Sequence, residues 1–260
     1  MSPVDGSKGP VVPFFDANAH PDMELEGCGY EAYVMDAERA GLVGACAVAL
    51  PETDPAVHMA RCREAGLFTP VAPWKSTGRR RLRRSLLELV NLGYRALKVH
   101  PRLGGPSIGS SEFRQLAKIA EQFSFTIFLC TYPFGNAKQG LGDQLLSDLE
   151  RVVREAPTLR LVLLHSGGVD LMRYIEFSRA NDHLLLDLSL TLLKYQESSI
   201  DNDLSFAFHH FDRRICVGTD YPYYSIRQVA SRLEHFVHDL PTEKRDNVLS
   251  NNLKSYLADG

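Results

Sequence analysis

Eight short apolar segments, alternating with stretches of helical character, are the feature of this chain that leaves the fewest folds open. The apolar segments lie at 14–20, 43–50, 68–74, 94–100, 125–130, 160–165, 183–189 and 214–218. Most are apolar almost throughout rather than at alternate positions, as in strands buried on both faces. Between them, 31–40, 55–65, 81–91, 112–123, 143–156 and 171–180 read as helices, and 225–240 and 242–257 close the chain as helices. Gly41, Gly66 and Gly93 follow three of these, and Pro157 follows another, as helix stops. Only 190–212 is irregular in pattern. Alternation of this kind implies a parallel sheet with helices on its outside. Eight units favour a closed (β/α)8 TIM-type barrel over an open doubly wound sheet. One domain over 14–260 is expected, after a loose Gly- and Pro-containing lead-in at 1–13.

Composition narrows the partners. The net charge of −3 sets up no general field for nucleic acid or anionic lipid. The basic run Arg79–Arg84 reads as the solvated start of a helix, with Leu82, Leu86 and Leu89 on its buried face. No apolar run approaches the length that spans a bilayer, and no signal-peptide core is found near Asp5 and Lys8. The five cysteines are odd in number and lack a C-x-x-C spacing, which suits reduced thiols and a cytoplasmic location. A small molecule is the expected partner, with a homodimer as a compatible assembly.

Polar groups recur where the strands end. Asn18 and His20 end the first strand, Lys98 and His100 the fourth, Cys130 the fifth, His165 the sixth and Asp220 the eighth, with Asp187 and Ser189 in the seventh. In a barrel these carboxyl ends share one rim, where the chemistry of such folds is found. Strand alternation directs Asp16, Asn18 and His20 to one side. Asp16 is expected to tie down the strand through nearby backbone. Imidazole, carboxylate and thiolate are ligands for zinc or a related divalent ion, and a metal-bound water ionises near neutral pH. Asp220 is a candidate metal ligand or general base. His165 and His100 are candidates to orient or protonate a substrate, and Lys98 and Arg102 to hold its carboxylate. Asn18 and Tyr221 join them as candidate substrate contacts. The bland alternatives are that Cys130 is a small core residue, Lys98 a salt-bridged barrel residue and Tyr221 a loop anchor.

The motifs Asp-Ala-Asn-Ala-His-Pro (16–21), Leu-Lys-Val-His-Pro (97–101), Leu-Leu-His-Ser-Gly-Gly (163–168) and Val-Gly-Thr-Asp-Tyr-Pro (217–222) together resemble the amidohydrolase superfamily. The nearest likeness is to its aminocarboxymuconate-semialdehyde decarboxylase-like branch, and Val-Leu-Ser-Asn-Asn-Leu (248–253) resembles that branch's closing helix. The resemblance implies a His-x-His on the first strand, a His on the fifth, a His on the sixth and an Asp on the eighth. His20, His165 and Asp220 match. Asn18 and Cys130 stand where histidines are expected.

These departures leave three readings open. A remodelled metal site persists, built on His20, Asp220 and Cys130 or His165, with His100 as a further candidate ligand. Or the metal is absent, and His20, His165 and Asp220 act as acid and base. Or the barrel binds a ligand without chemistry. The expected function is hydrolysis of a small carboxylate-bearing cyclic or acyl substrate (a lactone, ester or amide), with Asp220 as general base. Non-oxidative decarboxylation is the alternative.

Overall fold

The computed structural model describes residues 12–23, 27–133 and 144–258. Most of the expected lead-in, the tip of the loop after the fifth strand and the first residue of the helix expected at 143 lie outside the described residues. Eight parallel strands form one sheet in sequence order: β1 Phe15–Ala19, β2 Gly44–Val48, β3 Phe68–Trp74, β4 Ala96–Val99, β5 Thr126–Cys130, β6 Leu161–Leu164, β7 Leu184–Asp187 and β8 Ile215–Cys216. The sheet closes on itself. Ala17 N donates to Val217 O (2.9 Å), Asp220 N to Asn18 O (2.8 Å) and His20 N to Tyr221 O (2.9 Å). The fold is the (β/α)8 barrel expected.

Helices α1 Tyr30–Ala40, α2 Pro55–Ala65, α3 Leu82–Leu92, α4 Ser111–Gln122, α5 Leu145–Glu155 and α6 Leu171–Arg179 cover successive strands. Gly41, Gly66 and Gly93 end the first three in the left-handed conformation, the role their positions suggest. Asp54 and Ser110 cap α2 and α4 through their side-chain oxygens. In α3 the arginines stay at the surface while Leu82, Leu86 and Leu89 are buried. The irregular segment after β7 resolves into α7 Thr191–Lys194 and α8 Ile200–His210. After α9 Ile226–Val237, the closing stretch is interrupted: α10 Thr242–Asp246 passes through a π-turn at Asn247–Asn251 into α11 Asn252–Ala258. Asn252 Nδ2 there donates to the carbonyls of Asp212 (2.6 Å) and Ile215 (2.8 Å), tying the end of the chain to the start of β8. No helix among the described residues is long and apolar enough to cross a membrane.

The barrel interior is filled by small and large side chains in turn. Phe15, Ala17, Cys46, Val48, Val71, Ala96, Phe128, Val162, Leu164, Leu185 and Cys216 pack as one cluster, and Leu253 of α11 joins it. A larger apolar layer lies between strands and helices. Room is scarce at the seam between β8 and β1. A Cβ on Gly218 would lie 2.8 Å from Asn18 N, so glycine permits the two backbones to meet.

Asp16 fastens this seam. Its carboxylate accepts from Asn18 N (3.0 Å), Thr219 N (2.9 Å), Thr219 Oγ1 (2.6 Å) and Tyr33 Oη of α1 (2.7 Å). Burial pushes its pKa up, and these hydrogen bonds oppose that shift. Replacement of Asp16 by Ala strands several buried donors and is expected to cost roughly 3 kcal/mol or more. Thr219→Val, which removes one hydroxyl, should cost about 1 kcal/mol. Urea unfolding of the two variants checks both the order and the size.

Candidate active site

At the carboxyl ends of the strands lies a cavity of about 500 Å³. His20, Lys98, His100, Arg102, His165 and Asp220 line it, with Tyr132, Leu190, Lys194, Tyr223 and Tyr224 around them. Residues at or after the ends of six strands (β1, β4, β5, β6, β7 and β8) thus meet although they are distant in the chain. Three of the cavity residues, His165 (φ 65°), Leu190 (φ 62°) and Asp220 (φ 55°), have left-handed backbone. Such conformations are costly for side chains other than glycine and cluster at functional sites. After β6 the left-handed run continues through Ser166, Gly167 and Gly168. A Cβ on Gly167 would lie 2.1 Å from the Tyr174 ring, so this turn needs glycine there.

Hydrogen bonds set the imidazole orientations. His20 Nδ1 lies 2.5 Å from the carbonyl of Val48. A carbonyl only accepts, so Nδ1 carries the proton and Nε2 faces the cavity. Nε2 is 3.1 Å from Lys98 Nζ and 3.5 Å from Asp220 Oδ1. His165 Nδ1 lies 3.1 Å from the carbonyl of Ser189, and its Nε2 is 4.0 Å from Asp220 Oδ1. Asn18 Nδ2 donates to Asp220 Oδ1 (2.9 Å) and to Ser189 Oγ (3.0 Å). Beneath them, Asp187 accepts from the backbone of His165 (3.2 Å) and Ser189 (3.1 Å) and from the Ser189 hydroxyl.

Charge follows from this packing. Burial works against ionisation of Asp220, but His165, His20 and Lys98 prevail and hold its carboxyl well below the usual carboxylate range. Burial disfavours a charged His165, yet Asp220, Cys130 and Asp187 raise its pKa to about 9. Burial pushes Asp187 up to about 6, against its hydrogen bonds and His165. Cys130 is brought well below the ordinary thiol value by His100 and His165 despite its burial. Arg102 Nη2 donates to its sulfur at 3.5 Å. The two shifts run toward a carboxylate and an imidazolium that stabilise each other across the cavity floor.

Several sequence expectations need relocation. Asp16, Asn18 and His20 do not share the cavity, because the β1–β2 register shifts between Asp16 and Ala19. Only His20 lines it. Asn18 lies beneath, fully buried, and braces Asp220. Tyr221 also turns away. It packs edge-on against Tyr33, and its hydroxyl accepts from Gly29 N (3.3 Å). Its neighbours Tyr223 and Tyr224 line the cavity in its place. Lys98 has no carboxylate within ion-pair distance among the described residues, so the salt-bridged reading of it does not apply. The sequence reading missed Lys194. It lies on α7, and its Nζ sits 4.8 Å from the centroid of the Tyr132 ring, with the Arg102 guanidinium 5.4 Å from the same ring. Its position just after the seventh strand end was the available signal, obscured by the irregular pattern there.

The donor set departs from the one that the family resemblance implies. Among the described residues no three His, Cys, Asp or Glu side chains are grouped as ligands would be. A carboxamide, Asn18, stands where the second imidazole of a first-strand pair would be. The Nε2 of His20, the atom free to ligate, faces an amine at 3.1 Å.

Residues 33–252 match the family model described as amidohydrolase. The chain belongs to the amidohydrolase family and is an enzyme of that family. Solved structures agree on the fold. An uncharacterised TIM-barrel protein from Bordetella bronchiseptica superposes with a TM-score of 0.80 at 17% identity, covering 95% of this chain and 99% of that one. The 5-carboxyvanillate decarboxylase of Sphingomonas paucimobilis gives 0.69 at 11% identity, covering 95% and 99%. A protein from Acinetobacter baumannii, provisionally assigned as a 2-pyrone-4,6-dicarboxylic acid hydrolase and holding citric acid, gives 0.68 at 14% identity, covering 95% and 100%. Among curated proteins, none matches the sequence significantly.

Asn18→Asp tests the bracing of the carboxylate. It sets a second acid 2.9 Å from Asp220 Oδ1, which raises one pKa of the pair. A carboxyl with a raised folded-state pKa stabilises at low pH and loses that contribution as pH rises through the raised value. The variant should approach wild-type stability near about pH 4 and fall behind it by about pH 8, as read by denaturant unfolding across that range.

Proposed function

We propose that this amidohydrolase hydrolyses a small cyclic or acyl substrate bearing a carboxylate, without a metal ion. The observation that carries the reading is the ionised Asp220 flanked at the cavity floor by His20 and His165. In this reading Asp220 takes a proton from water as the water attacks the carbonyl carbon. The His165 imidazolium, fixed through Nδ1 by the Ser189 carbonyl, steadies the charge that develops on oxygen and then protonates the leaving group. Arg102 and Lys194 at the mouth hold the substrate carboxylate. Tyr132, Tyr223 and Tyr224 supply flat apolar wall for a ring. Positive charge next to the carboxylate comes from protein side chains, so no step requires an ion.

Decarboxylation is the second reading. It is supported by the coexistence of a cationic mouth with a protonated imidazole able to deliver a proton to carbon. The likeness to a 5-carboxyvanillate decarboxylase makes aromatic carboxylates its natural probes.

A panel of carboxylated lactones, including 2-pyrone-4,6-dicarboxylate, tests the first reading against the second. Ring opening is expected in at least one case, and Asp220→Asn should lower it by roughly a hundredfold or more with the fold retained. A variant that keeps full turnover removes Asp220 as base. Protein purified without added metal should carry substoichiometric transition metal by elemental analysis, and chelation should leave turnover unchanged. A stoichiometric ion whose removal abolishes activity would overturn the metal-free mechanism.

A further inference from the structure

Lys98 moves no proton and touches no substrate in the hydrolytic mechanism, where it only adds to the field on Asp220, yet its side chain lines the cavity and is only 3% exposed. A structural buried lysine is ordinarily paired with a carboxylate, because an isolated ammonium is expensive to bury. Lys98 has no such partner within 4.0 Å among the described residues. Its hydrogen-bond contact is His20 Nε2 at 3.1 Å. The Val48 carbonyl keeps the His20 proton on Nδ1, so Nε2 offers a lone pair to the amine. An unpaired amine, a base aimed at it and a cavity with a cationic mouth are the parts of imine chemistry.

We propose that Lys98 is the nucleophile of a second activity, in which the enzyme forms an imine with the ketone of a small dicarboxylic β-keto acid and releases carbon dioxide. Nζ attacks the ketone carbon while His20 Nε2 takes a proton from it. The carbinolamine oxygen is protonated and leaves as water, giving a protonated imine. The bond to the β-carboxylate breaks, carbon dioxide departs, and the electron pair neutralises the imine nitrogen as an enamine. His165, protonated and across the cavity, delivers a proton to the enamine carbon. Water then adds to the imine carbon and expels Lys98 as the amine. One proton is consumed per turnover and is drawn from solvent; no oxidant or reductant is required. Arg102 and Lys194 hold the carboxylate that is retained, whereas Asp220 repels the one that is lost. Burial lowers the basicity of Lys98, against the pull of Cys130, Asp220, Asp22 and Asp187, which favours the amine that this chemistry needs.

Oxaloacetate with sodium cyanoborohydride tests the proposal on the whole protein. Wild type should acquire one reduced adduct, located by peptide mass spectrometry on Lys98, and lose decarboxylation of oxaloacetate in step with labelling. Lys98→Arg keeps the charge but cannot form an imine. It should take no adduct and decarboxylate at the rate of buffer, with an unchanged circular dichroism spectrum. Labelling confined to exposed lysines such as Lys75, absence of any adduct, or retained decarboxylation in Lys98→Arg would each overturn it. Because the wild-type adduct is read without any hydrolysable substrate, this outcome is independent of the hydrolytic reading.

Discussion

Closure of the sheet between β8 and β1 is the constraint on which the rest of the molecule rests. Parallel strands leave no free edge only when the last returns to the first. Here β8 has two residues in regular strand, so the return depends on the segment 217–221 pairing with 17–20. Small groups at Gly218 and Ala17 let the chains approach, and the Asp16 carboxylate gathers donors from both strands and from α1. A buried carboxylate is an expensive fastener. Four hydrogen bonds make it tolerable, and its position makes it specific. The same seam delivers His20 from one side and Asp220 from the other, only 3.5 Å apart.

Above that seam, neutral and charged groups are sorted by depth. Asn18 presents an amide hydrogen to Asp220 instead of a second imidazole, which steadies the carboxylate without adding a titrating group. From below, the Ser189 carbonyl holds the His165 ring and Asp187 accepts from the His165 backbone. Lys98 is buried in the wall, and cations gather toward solvent at Arg102 and Lys194 beside the Tyr132 ring. On the proposed reading, a substrate with a carboxylate is drawn in by the mouth and meets Asp220 at the floor.

The barrel was legible because its strands are buried on both faces, which prints continuous apolar runs that glycines punctuate. Strand ends carrying His20, Lys98, His100, His165 and Asp220 followed from the same reading, since topology fixes which ends share a rim. What the pattern could not express was rotation about the strand. The shift between Asp16 and Ala19 turned Asn18 below the cavity, and the left-handed backbone at Asp220 turned Tyr221 toward Tyr33. Side-chain direction at such places depends on φ values that hydrophobic periodicity does not encode. Lys194 was hidden for a different reason. The element bearing it, α7, has four residues, too short for a helical period to show.

The seam has a temporal meaning as well. Its two halves lie some two hundred positions apart in the chain (Asp16 and Thr219, for instance), so Asp220 meets His20 only once the long segment between them has folded. Completion of the circle is the step that brings these groups together.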